Sequence, residues 1–163
     1  MKKIILAAAA VAFATPAMAA PGDTAQDSGT AVAEIVAPIA ITHDGGALDF
    51  GIIIPATTAG TVVVTQGGAG SVTGDTLFVS GSTNAADSFT VTGDAGRAYS
   101  IVTTGGSVTS GGNSMTFTTD APASGTLSAT GSDNFSVGGT LNVGANQAAG
   151  SYSGSYDATV SYN

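Results

Sequence analysis

The chain has 163 residues with no Cys, no Trp, one His and 24 Gly, and Lys+Arg 3 against Asp+Glu 11 gives a formal charge of −8. Without Cys there is no disulfide framework, thiolate zinc site or cysteine nucleophile, and one His cannot build a multi-histidine metal centre. Charged residues make up 9% of the chain and hydrophobic ones 43%, which excludes a charge-rich disordered tail and also nucleic-acid binding by counterion release, since that needs clustered Lys and Arg.

The chain opens on a positive pair, Lys2 and Lys3, then an apolar run from Ile4 to Ala14, then the small residues of Ala17-Met18-Ala19. This order predicts a secretory signal peptide over residues 1–19, and with it export to the periplasm, the cell surface or the exterior. The apolar run falls short of the roughly 20 residues that span a bilayer. Cleavage after Ala19 removes both lysines, leaves Arg97 as the only strong base and takes the formal charge from −8 to −10.

Residues 20–30 are small and polar and read as a flexible leader, followed by one domain over 31–163. From Ala31 to Ile41 every odd position is apolar: Ala31, Ala33, Ile35, Ala37, Ile39 and Ile41. Period two, β-branched content and Pro38 favour an extended strand there over a helix. Beyond it, short β-branched or aromatic runs alternate with Gly, Ser, Asn and Asp clusters. Strands are predicted at 47–54, 60–65, 74–80, 87–92, 98–103, 114–119, 126–129, 134–137, 140–143 and 151–162, with turns at such pairs as Gly67-Gly68 and Gly138-Gly139. Only 84–88 and 146–150 leave room for a short helical piece. The expected class is all-β, an antiparallel sandwich or barrel.

No catalytic constellation emerges. His43 and Asp44 are neighbours, but adjacent residues of an extended chain point to opposite sides, so they form no orienting pair, and His43 reads as a solvent-facing turn residue. There is no G-x-S-x-G elbow and no phosphate loop ending in Gly-Lys-Ser/Thr. The carboxylates are scattered singly, and neither calcium-loop pattern occurs. The sequence therefore predicts no enzyme, no cofactor and no metal site.

The last segment places Tyr152, Tyr156, Ala158, Val160 and Tyr162 in one period-two phase and Ser, Asp and Thr in the other. Together with the Ala31 to Ile41 alternation, the Leu48-Asp49-Phe50-Gly51 step and Ala149-Gly150-Ser151-Tyr152-Ser153-Gly154, this resembles a secreted proteobacterial family, domain of unknown function 4402. The likeness covers essentially everything after residue 19. More distantly, these ends are similar to those of pilin subunits assembled by the chaperone and usher route, including spore-coat-U-like pilins. That resemblance implies an incomplete immunoglobulin-like sandwich whose missing strand is supplied first by a chaperone and then by the next subunit.

Carried onto this chain, the resemblance makes Thr30 to Ala37 the donor strand, with Ala31, Ala33, Ile35 and Ala37 as its inward side chains and Pro38 as a break. It places Tyr152, Tyr156, Ala158, Val160 and Tyr162 on one wall of the acceptor groove. The partners it implies are identical subunits, a periplasmic chaperone and an outer-membrane usher, in a fimbrium-like polymer at the cell surface. Two features depart from the pattern: no Cys is present for the disulfide many pilins carry, and the small donor residues fill a groove less fully than Val, Ile or Leu. The residues themselves equally allow a self-contained sandwich that begins and ends with these strands, or one that binds carbohydrate or another surface ligand.

Overall fold

The computed structural model describes residue 22 and residues 24–163; the expected signal peptide over 1–19 lies outside the described residues. Contacts divide the chain into Met1–Glu34 and Ile35–Asn163. In the first unit, residues 24–34 are exposed and carry no regular secondary structure. In the second, twelve strands follow one another and no helix occurs. They are β1 (Ala40–His43), β2 (Ile53–Ile54), β3 (Gly60–Val64), β4 (Gly70–Val72), β5 (Leu77–Phe78) and β6 (Asp87–Thr92). The remainder are β7 (Ala98–Thr103), β8 (Gly106–Ser110), β9 (Asn113–Asp120), β10 (Ser124–Thr126), β11 (Ser132–Val143) and β12 (Ala158–Tyr162).

The strands pair antiparallel throughout. Seven of them form one sheet in the order β1-β6-β11-β3-β4, with β9 and then β8 branching from β11; β10-β7-β12 form a second sheet and β2-β5 a small ribbon. The result is the expected all-β antiparallel sandwich. Its core has two clusters. One gathers Phe50, Val62, Val64, Met115, Phe117, Leu141 and Val143. The other gathers Phe89, Val91, Tyr99, Ile101, Leu127, Phe135 and Val137.

β11 joins the two clusters and corrects the sequence reading. Gly138-Gly139 is not a turn between two strands: β11 runs through it for 12 residues. Its first half pairs with β6, and its second half lies between β3 and β9. The glycines are there for close approach. A Cβ on Gly138 would run into the Val64 carbonyl, and one on Gly139 would sit 2.5 Å from the Thr118 carbonyl oxygen and 2.9 Å from Leu48.

Four other expectations change. The strand expected over Ala31–Ile41 starts only at Ala40, because Pro38 has no N–H to give a ladder and no described strand pairs with 31–39. The expected strand over 151–162 is regular only from Ala158. Asp87 and Ser88, placed in a possible helical piece, open β6, and 146–150 is loop with Asn146 in the left-handed region. β4 and β8 were missed, being Gly and Ser rich and formed by pairing with β3 and β9.

Candidate functional site

Two strand edges stand open beside the second core cluster. β12 is the outer strand of its sheet and β1 the outer strand of the other. Thr104 N–H donates to the Asp157 carbonyl and Asn163 N–H to the Ala98 carbonyl, at 3.0 and 3.3 Å. Antiparallel pairs alternate between bonded and non-bonded, so Ala158, Val160 and Tyr162 turn their backbone groups away from β7. The Asp44 N–H bonds to the Ser88 carbonyl at 3.1 Å, and by the same alternation Ile41 and His43 turn theirs away from β6. Ile39 and Ile41 on one side and Ala158, Val160 and Tyr162 on the other pack on the same cluster. No ladder joins β1 to β12, though their Cα atoms come within 8 Å.

The structure brings all five expected wall residues to one side. Tyr152, Tyr156, Ala158, Val160 and Tyr162 are half-buried, while the intervening Ser153, Asp157, Thr159 and Ser161 are exposed. A half-buried tyrosine needs a partner for its hydroxyl, and each of the three finds a different one. Tyr152 Oη donates to the Ala148 carbonyl at 2.7 Å and accepts from Gln147 Nε2 at 2.8 Å. Tyr162 Oη donates to the Ala37 carbonyl at 2.9 Å and accepts the Asp94 N–H at 2.6 Å. Gly93 makes room for it, since a Cβ there would strike the Tyr162 hydroxyl.

Tyr156 reaches furthest. Its ring meets Phe89 and Phe117 edge-on, with centroids 6.2 and 6.3 Å away, so it packs on both core clusters. Its hydroxyl donates to Asp87 Oδ2 at 2.7 Å. Burial, and then the bond to the Asp87 carboxylate, push its pKa far up, which keeps it a donor. Asp87 is only 4% exposed. Its Oδ1 accepts the Ser88 N–H at 2.8 Å and lies 2.7 Å from His43 Nε2, which is the donor towards a carboxylate. His43 is exposed as expected, but it ends β1 rather than lying in a turn, pairs with Asp87 and sets its ring 5.1 Å from that of Phe89. As the strand geometry predicted, it does not pair with Asp44, whose carboxylate accepts the Thr90 hydroxyl instead.

Asp87 is the residue of this cluster that sequence reasoning missed. It lies 44 positions from His43 and 69 from Tyr156, and no local pattern marks it. Its only trace was a charged residue at the head of an otherwise hydrophobic and hydroxyl run.

A cleft of about 820 Å³ continues the same side of the domain. Its walls are the stretches 47–55 and 147–154, and Val108, Met115, Leu141 and Val143 lie beneath. Each wall is held by an isolated bridge, Asp49 to Ala85 and Ser153 to Thr109. The expected donor residues Ala31, Ala33, Ile35 and Ala37 are all exposed, Ile35 at 96%. Among the described residues no group of three or more His, Asp or Glu is placed to hold a metal ion.

A family profile described as Domain of unknown function (DUF4402) matches residues 39–162. The chain belongs to the DUF4402 family. The match starts at Ile39, one residue before β1, and ends at Tyr162, the last residue of β12, so the profile takes in both open edges. No curated protein and no solved structure matches the chain.

Proposed function

We propose that this DUF4402 protein is an exported structural subunit that assembles with copies of itself by strand donation. One observation carries the reading: β1 and β12 present unpaired backbone edges over a single apolar cluster with no ladder between them, and the residues 30–37 that precede β1 in sequence lie outside every sheet. Open edges invite strand addition. An arm whose alternate residues are apolar supplies both the backbone ladder and side chains for the core. The donor is residues 30–37 of a second copy, and a chaperone strand occupies the same place before assembly.

The aromatic rings favour this over a sugar-binding sandwich. Every Tyr and Phe among the described residues is buried or half-buried, so none offers an open platform for stacking on a sugar ring.

The test compares the full chain with a chain lacking residues 20–37. The full chain is expected to form ladders of multiples that survive cold detergent and collapse on boiling, while the shortened chain folds and stays monomeric. A full chain that remains monomeric at every concentration, with 30–37 paired inside its own molecule, ends the proposal.

A further inference from the structure

A strand entering between β1 and β12 needs about 4.8 Å to each neighbour, or nearly 10 Å in all. The two strands come within 8 Å of each other. In the free subunit the slot is therefore shut, and something must hold it shut. Beyond their packing on one apolar cluster and the bond from Tyr162 Oη to the Ala37 carbonyl, the open edges are not joined by any ladder.

The Asp87 carboxylate is placed to do it. It is almost fully buried in β6 and receives Tyr156 from the segment leading into β12 and His43 from the end of β1. Separating β12 from β1 by moving the terminal segment pulls the Tyr156 hydroxyl off Asp87 and leaves a buried charge short of a donor. Separation by moving β1 pulls off His43 with the same consequence. We propose that Tyr156, Asp87 and His43 form a latch that keeps β1 and β12 together and that must open before a donated strand can enter. The latch rests on the strand-donation reading for its purpose, though not for its existence. Tyr99 and Asp133 supply an internal comparison: the same chemistry at 3.0 Å, in a tyrosine that is the ladder partner of Tyr162, but with the bond tying β7 to β11 and joining neither β1 nor the segment before β12.

The test is amide hydrogen exchange on the full chain, the Tyr156→Phe variant and the Tyr99→Phe variant. The reporting amides are Thr42 and Asp44, bonded to β6, and Thr159 and Ser161, bonded to β7. In Tyr156→Phe they are expected to exchange about 10- to 100-fold faster, the loss of a hydrogen bond to a charged group, while β9 and the second half of β11 do not change. Tyr99→Phe is expected to leave the four amides unaltered relative to the rest of their sheets.

Acceleration spread evenly over all strands would mean ordinary loss of stability and overturns the latch. If Tyr156→Phe does not fold, the wild type decides: a latch makes all four amides open in one step with one denaturant dependence, and separate openings refute it. A labelled synthetic peptide of residues 30–39 separates the two readings. Faster uptake by Tyr156→Phe than by wild type supports both. Local opening with no uptake by any variant keeps the latch and removes strand donation. Equal uptake with unaltered amides removes the latch and keeps donation.

Discussion

The carbonyl of Val64 and the side chain of Leu48 decide what residues 138 and 139 can be. Gly→Ala in a strand ordinarily stabilises by about 0.4–1 kcal/mol, because the unfolded chain loses freedom. Here the sign reverses. A Cβ at 138 meets the Val64 carbonyl and the Thr65 backbone, and one at 139 meets the Thr118 carbonyl at 2.5 Å, and backbone atoms in a paired strand cannot step aside. Gly138→Ala and Gly139→Ala are each expected to destabilise by about 1–3 kcal/mol, as overpacking does, read as a lower urea midpoint with unchanged slope. An unchanged or higher midpoint at either position would show that the long strand does not need its glycines. The sequence could not distinguish these residues from a turn, because Gly-Gly is also the signature of one, and the difference lies in what occupies the space where a Cβ would stand.

At the level of elements, legibility followed the source of each strand's stability. β6 and β7 each carry two large apolar residues two apart, Phe89 and Val91, Tyr99 and Ile101, and the sequence places these strands at 87–92 and 98–103, where they lie. β4 and β8 have no such pattern and exist because β3 and β9 offer them edges. The reverse case is 31–39, which alternates well and forms no strand for want of a partner. The phase of the three terminal tyrosines was readable, whereas the Asp87 carboxylate that one of them meets was not. The arm yields a prediction of its own. Ile35 is 96% exposed, so Ile35→Asp is expected to leave monomer stability within about 0.5 kcal/mol. If a second copy buries that side chain, its loss removes about 1.5–3 kcal/mol, and self-association measured by sedimentation is expected to weaken about 10- to 100-fold. Association unaltered by Ile35→Asp would place the contact between copies elsewhere.

For the molecule as a whole, the sparse charge makes its alkaline behaviour legible. The sequence holds one His, Lys+Arg 3 and Tyr 4, so above pH 9 the tyrosines dominate what can titrate. Tyr99 is fully buried, and burial first, then its bond to Asp133, push its pKa up to about 12. Tyr156 is raised as well, by burial and by Asp87. In the unfolded chain both ionise near pH 10. Between about pH 10 and 12 the unfolded state therefore releases protons that the folded state keeps, and stability falls as pH rises. Below pH 10 both states hold these protons and the contribution is complete. Each tyrosine is worth at most about 1.4 kcal/mol per pH unit across that window, and partial ionisation at its ends lowers this, so urea unfolding of the wild type is expected to weaken by about 2 kcal/mol between pH 10.5 and 11.5 for the pair. Tyr99→Phe and Tyr156→Phe are each expected to lower stability at neutral pH and to remove about half of the alkaline slope, because phenylalanine has no proton to release. A wild-type midpoint flat across this range, or a slope that both substitutions leave intact, would mean that the two hydroxyls are not held against their carboxylates in solution, and the junction of β1, β6 and the terminal segment would then need another explanation.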